Sequence, residues 1–176
     1  MLVHQEVGKT TICNGICEKI HYKHIPFDAI IRGFQNNFPE TGITHSDIPI
    51  NVSKKLAPFI NTMIEDYEQP LLLDLYHLVP EDYMKFINID LCNIFFVGYP
   101  NISSQEKLKE MRTYDKRQEN RILTDTELLE KLKRHIDESI YLEKECKKYD
   151  LPFINTSYER MSVINNAINE IGKLYS

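Results

Sequence analysis

The chain has no apolar run approaching the roughly 20 residues that a membrane-spanning helix needs, so a membrane partner is not expected. It has no surplus of positive charge: 21 Lys and Arg stand against 26 Asp and Glu, a formal charge of −5. That balance excludes broad adhesion to nucleic acid and leaves only a local basic patch to hold phosphate. Its four cysteines, Cys13, Cys17, Cys92 and Cys146, follow neither a disulfide framework nor a zinc-ribbon spacing. The amino-terminal stretch does not read as a basic-then-apolar leader, and a cytoplasmic, soluble protein is the expectation. Repeats, low-complexity tracts and long linkers are missing as well. At 176 residues one domain is expected, large enough to bury about two thirds of its unfolded surface.

What is present is an alternation of two periodicities. Over residues 10–20, Ile12, Ile16, Cys17 and Ile20 recur at helical spacing. Cys13 and Cys17 share this helix, either as two small core residues, the favoured reading, or as a metal-binding pair. "KHIPFD" follows as a short strand ending in an acid, and Asp28 can cap the next helix, "AIIRGFQNNF", with Ile30, Ile31, Phe34 and Phe38 on one face. A third helix fits residues 52–67. In "PLLLDLYHLVP" the run 71–73 reads as a strand buried on both faces and ending in Asp74, and "LCNIFFVGYP" repeats the pattern with Pro100 as its stop. Residues 103–148 are charged and helical, with a break near "ILTDTE", where Thr124 and Glu127 suit a capping box. "LPFINTS" is a short strand with a turn. "YERMSVINNAINEIGKL" closes the chain as an amphipathic helix with Met161, Ile164, Ala167, Ile168 and Ile171 inward. Buried strands alternating with helices predict an α/β fold, a mostly parallel sheet covered on both faces, with chemistry at the carboxyl ends of its strands.

The chemical signal within this order is "GKTT", residues Gly8, Lys9, Thr10 and Thr11. In a full phosphate loop, G-x-x-x-x-G-K-[ST], backbone amides wrap the phosphates, the lysine offsets their charge and the hydroxyl binds Mg²⁺. Gly8, Lys9 and Thr10 supply the last three positions, whereas the first glycine's place holds Val3, whose β-branch resists positive φ. His4 lies inside the loop, within reach of phosphate. Asp74 ends its strand where a carboxylate can join Thr10 around magnesium or cap a turn. Asp28 can accept a proton from a substrate hydroxyl, cap its helix, or do both. "MRTYDKRQENR" gathers Arg112, Lys116, Arg117 and Arg121, which can fork onto phosphate oxygens or form ion pairs with Asp115 and Glu119 on a solvated helix. His77, just beyond Asp74, either touches substrate or is structural.

In order and chemistry these features resemble the P-loop small-molecule and nucleoside monophosphate kinases, the group that includes adenylate, shikimate and gluconate kinases, over nearly the whole chain. The resemblance implies a three-layer P-loop NTPase-type sheet in a single domain, 1–176, with a helical lid at about 103–124. It implies phosphoryl transfer from ATP, with Mg²⁺, to a small-molecule or nucleotide acceptor. The roles it implies fall on Gly8, Lys9, Thr10 and Thr11 around the phosphates, with Thr10 and Asp74 at the metal. Asp28 and Arg32 fall at the acceptor, where the reading of the residues adds His77. Arg112, Arg117 and Arg121 fall on the lid, and Asn155, Thr156 and Ser157 beside the adenine. Two other functions fit the same fold: nucleotide binding without turnover, and an interaction protein that keeps the architecture. In this group the strand before the loop is central in the sheet. Here only Met1, Leu2 and Val3 stand in its place, so either native upstream residues are missing from the sequence or the strand is a stub.

Overall fold

In the computed structural model, which describes residues 2–3, 8–114 and 118–175, the apolar runs become strands and the periodic segments become helices. The first half comprises β1 (Leu2–Val3), α1 (Lys9–Ile20), β2 (Lys23–Pro26), α2 (Phe27–Asn37), a 3₁₀ turn (Pro39–Thr41) and α3 (Pro49–Asp66). Then come β3 (Leu71–Leu75), α4 (Pro80–Phe86), β4 (Phe95–Gly98), α5 (Ser104–Tyr114), α6 (Gln118–Arg121), α7 (Asp125–Lys148), β5 (Phe153–Asn155) and α8 (Arg160–Leu174). The strands form one parallel sheet in the order β2-β3-β1-β4-β5.

Strand period decides which face each apolar side chain covers. Leu73, Leu75 and Phe96 pack with Phe27, Ile31, Leu56, Ile60 and Leu142, under α2, α3 and α7. Their alternates Leu72 and Val97 pack with Ile12, Ile16, Ile164 and Ile171, under α1 and α8. Helices therefore cover both faces, in three layers. Each fully buried Leu, Ile or Phe contributes about 1.5–3 kcal/mol, so the two clusters dominate the stability of the fold. A third, small cluster of Met111, Leu128 and Leu132 joins α5 to α7 away from the sheet.

The central strand is short. Leu2 lies opposite Asp74 and Phe95, and Val3 opposite Leu75 and Phe96. On that side of β3, Leu71, Leu72 and Leu73 have no strand partner among the described residues. Beneath them opens a cavity of about 370 Å³, lined also by Leu91, Cys92 and Asn93 and by residues of α1 and α8. It lies at the amino ends of the strands, opposite the end that carries Gly8, Lys9 and Thr10.

Local signals explain most boundaries. Thr124 and Glu127 form the expected capping box: Glu127 N–H donates to Thr124 Oγ1 at 3.3 Å and Thr124 N–H to Glu127 Oε2 at 2.8 Å. Three expectations need correction. Pro26, in extended conformation, is the N-cap of α2, and Asp28 lies inside the first turn, where its charge complements the helix dipole without capping. Met161 is 60% exposed, since it opens α8 behind a left-handed Glu159 before the helix reaches the sheet. The seven-residue α4 is absent from the periodicity reading. It is too short to show a face, although Pro80 at its first position and Glu81 and Asp82 in its first turn are start signals.

Candidate active site

The turn into α1 is built around Gly8. Its φ is 93°, a left-handed value that favours glycine, and a Cβ there would also push Ile164 Cδ1 aside. Lys9 follows, but its side chain is buried and turns inward. Its Nζ lies 2.6 Å from Asp74 Oδ1 and donates to the Leu75 carbonyl at 2.7 Å. Thr10 Oγ1 donates to Asp74 Oδ2 at 3.0 Å, and His24 Nε2 lies 3.4 Å from the same oxygen. Register places Asp74 here: it sits near the carboxyl end of β3, beside the central strand and opposite Leu2. Thr10 and Thr11 are exposed. Thus four residues read from sequence, Gly8, Lys9, Thr10 and Asp74, meet at one point.

Cys13 backs this cluster. It is fully buried, and that burial, reinforced by the Asp74 carboxylate, pushes its thiol pKa well up. Ligating atoms of Cys13, His24 and Asp74 lie within 4.8 Å of one another, but Lys9 already brings a positive charge to the carboxylate. Cys17 is half-buried beside the same α1–α8 core and is not a member of that cluster.

At the neighbouring carboxyl end of β2, Asp28 faces two histidines. His45 Nε2, from the loop before α3, lies 3.8 Å from Asp28 Oδ2, and the His45 and His77 rings are 6.1 Å apart. His77 is 1% exposed. Its Nε2 lies 3.2 Å from the Asp47 carbonyl and its ring stands edge-on to Tyr76 at 4.6 Å. Burial lowers the His77 pKa from its ordinary 6.5 to about 4, so the ring is neutral in the folded protein. Ser53 Oγ, fully buried, accepts from Val79 N–H at 2.9 Å and fixes the loop that carries His77. Arg32 is exposed one turn beyond Asp28 on the same side of α2.

The arginines expected on a lid divide. Arg112 Nε donates to Asp125 Oδ1 at 2.9 Å, and its terminal nitrogens donate to the carbonyls of Asn120 at 2.9 Å and Leu123 at 2.7 Å. In this conformation it ties α5 to the start of α7. Arg121 is exposed at the end of α6, and Arg117, like His4 and Asp115, lies outside the described residues. Two cations that sequence reasoning did not single out lie nearer the loop. Lys107, 1% exposed on α5, pairs with Glu110 at 2.9 Å and stands 4.6 Å over the Tyr99 ring. Arg160 pairs with the same Glu110 at 3.2 Å, and its Nε is 3.7 Å from where a Cβ on Gly8 would sit. Neither carries a local motif, because Glu110 meets Arg160 only where the folded chain brings α8 to α5.

The turn after β5 folds back onto β4. Thr156 donates to the Gly98 carbonyl through N–H at 2.7 Å and Oγ1 at 3.0 Å. Ser157 N–H donates to Asn155 Oδ1 at 3.0 Å, and Ser157 Oγ accepts from Asn101 N–H at 2.9 Å. These contacts hold the turn beside the carboxyl end of β4.

The architecture has a counterpart of known structure. Shikimate kinase from Bacteroides thetaiotaomicron superposes with a TM-score of 0.60 over 98% of this chain and 95% of that one, at 16% sequence identity. The chain therefore has the fold of the P-loop kinases. No protein-family model and no curated protein matches its sequence. Among the described residues, no helix is long and apolar enough to cross a membrane.

Proposed function

We propose that the protein is a cytoplasmic kinase that transfers the γ-phosphoryl group of ATP to a hydroxyl of a small-molecule acceptor. The observation that carries the reading is the convergence, at the carboxyl end of the sheet, of Gly8, Lys9 and Thr10 on Asp74, with Asp28 on the neighbouring strand's end. The backbone turn at Gly8 and the helix start at Lys9 favour phosphate by the exposed N–H groups and dipole of α1. Thr10 Oγ1 and the Asp74 carboxylate make an oxygen pair that suits Mg²⁺, which when bound neutralises charge on the phosphate oxygens. Lys9 leaves Asp74 for the phosphates, exchanging one anion for another.

Asp28 Oδ1 takes the proton of the acceptor hydroxyl as that oxygen bonds to the γ-phosphorus and the bond to the departing ADP breaks. The products are ADP, the phosphorylated acceptor and a proton on Asp28. Little covalent work falls to the protein, so positioning and charge stabilisation supply most of the rate. Arg112, Arg117 and Arg121 close over the phosphates, which requires Arg112 to release the carbonyls it now holds. The turn of Asn155, Thr156 and Ser157 borders the adenine, while Arg32 and His77 flank the acceptor.

One observation favours an alternative, a protein that binds nucleotide without turnover: the Lys9 ammonium is buried against Asp74 and the Leu75 carbonyl. Incubation with γ-labelled ATP, Mg²⁺ and hydroxylated or phosphorylated compounds separates the two. Transfer of label, lost in Asp28→Asn with ATP affinity kept, supports the kinase. Bound ATP whose label never moves supports the alternative, and absence of ATP binding removes both.

A further inference from the structure

Three polar atoms at the acceptor end are buried with no hydrogen-bond partner: Asp28 Oδ1, His45 Nε2 and His77 Nδ1. They come from three segments: the first turn of α2, the loop before α3, and the loop after β3. Their side chains nevertheless face one another. The 3.8 Å between His45 Nε2 and Asp28 Oδ2 is too long for a hydrogen bond, so all three atoms are open to a partner from outside the chain.

The protonation of each atom defines that partner. Asp28 Oδ1, as a carboxylate oxygen, accepts. The Asp47 carbonyl beside His77 Nε2 can only accept, so the proton of the neutral ring sits on Nε2 and Nδ1 presents a bare lone pair. His45 Nε2 looks toward the carboxylate, which favours the tautomer with the proton on that nitrogen, a donor. The site thus offers two acceptors and one donor. A carboxylate or a phosphomonoester dianion has no proton to give and would set its lone pairs against Asp28 and His77. An ammonium can donate to both but accepts nothing from His45. Two neighbouring hydroxyls satisfy all three: one donates to Asp28, the other to His77, and His45 donates into a hydroxyl oxygen.

We propose that Asp28, His45 and His77 form the acceptor-recognition site and that it is built for adjacent hydroxyl groups of a neutral polyol or sugar rather than for an anionic group. The word acceptor rests on the phosphoryl-transfer reading, whereas the binding claim does not.

Binding is therefore measured without turnover, by calorimetry and by the ring-proton NMR signals of the histidines. The probes are glycerol, erythritol, ribose, glucose and myo-inositol, each beside an analogue lacking one of the adjacent hydroxyls. The expected result is saturable binding of at least one polyol, with its deoxy analogue about 10- to 100-fold weaker, because a buried acceptor is left unmatched. His77→Gln retains a donor toward the Asp47 carbonyl and deletes the Nδ1 lone pair. It should weaken the polyol by a similar factor while the unfolding midpoint stays in place. Equal binding of polyol and deoxy analogue, saturation by phosphorylated or carboxylated compounds alone, or no polyol binding by a protein that binds Mg-ATP would overturn the proposal and leave the kinase reading standing. A polyol that binds but never receives label from bound ATP would overturn the kinase reading and leave this site.

Discussion

Replacing Lys9 should destabilise the fold as well as inactivate. On sequence alone the lysine is needed only when phosphate is present, which predicts an intact fold for Lys9→Ala. In the structure Lys9 is 4% exposed and Asp74 5%, with 2.6 Å between their charged atoms. Removing either partner strands the other's charge away from water, which costs about 3–5 kcal/mol for a buried pair. Thr10 Oγ1 and His24 Nε2 also approach Asp74, so the lower end, about 3 kcal/mol, is expected for Lys9→Met. In a domain of this size that lowers Tm by about 10 °C. Lys9→Met with Asp74→Asn leaves neither charge and keeps most of the volume. It should recover about 2–3 kcal/mol relative to the sum of the single changes, a coupling of the size contacting residues show. Urea unfolding followed by circular dichroism measures all four corners of the cycle. Single variants within 0.5 kcal/mol of the parent, or a coupling near zero, would show that the buried pair is not formed in solution.

Other consequences concern neighbouring groups. The folded protein keeps His77 neutral down to about pH 4, whereas the unfolded chain protonates it near its ordinary 6.5. Between these values the unfolded state binds more protons, so stability is complete above 6.5 and falls as pH is lowered through the window, by about 3 kcal/mol in all. Urea midpoints against pH should flatten there in His77→Gln. Gly8→Ala, strained at φ 93° and obstructed by Ile164, should cost about 2 kcal/mol in thermal melts. Arg112→Ala frees the Asn120 and Leu123 carbonyls, and hydrogen exchange over residues 120–125 should speed up while sheet amides stay protected. In the parent, ATP with acceptor should slow exchange across residues 103–124 if the lid closes.

Some of this architecture is written locally and some is not. The buried runs of β3 and β4, the helical spacing of α1 and the Thr124–Glu127 capping box declare themselves because each depends on residues within a few positions. The glycine-lysine-threonine motif likewise points to Asp74, since a strand ending in a carboxylate has few places to go in a parallel sheet. Position in the sheet is different. Leu2 and Val3 by themselves do not say that they lie between β3 and β4; that central place follows only from the resemblance, because parallel order is set by crossovers longer than any sequence window. His45 was invisible for the same reason: it lies in a loop without periodicity and meets Asp28 and His77 only after α3 and β3 have folded. Lys107 and Arg160 carry no local signal, since Glu110 brings them together only in the folded chain. Asp28 reads from sequence as a cap but lies inside the first turn, since Pro26 and Asp28 both suit a helix start.

The central claim, that Gly8, Lys9 and Thr10 hold the phosphates of ATP, is tested most directly by titrating Mg-ATP by calorimetry into the parent and into the Lys9→Met, Asp74→Asn double variant. That variant lacks the buried charge pair but should stay folded, so lost binding cannot be blamed on unfolding. The account predicts saturable binding by the parent and none by the folded double variant. Equal affinity in the two, or a folded parent that takes up no nucleotide, would contradict it.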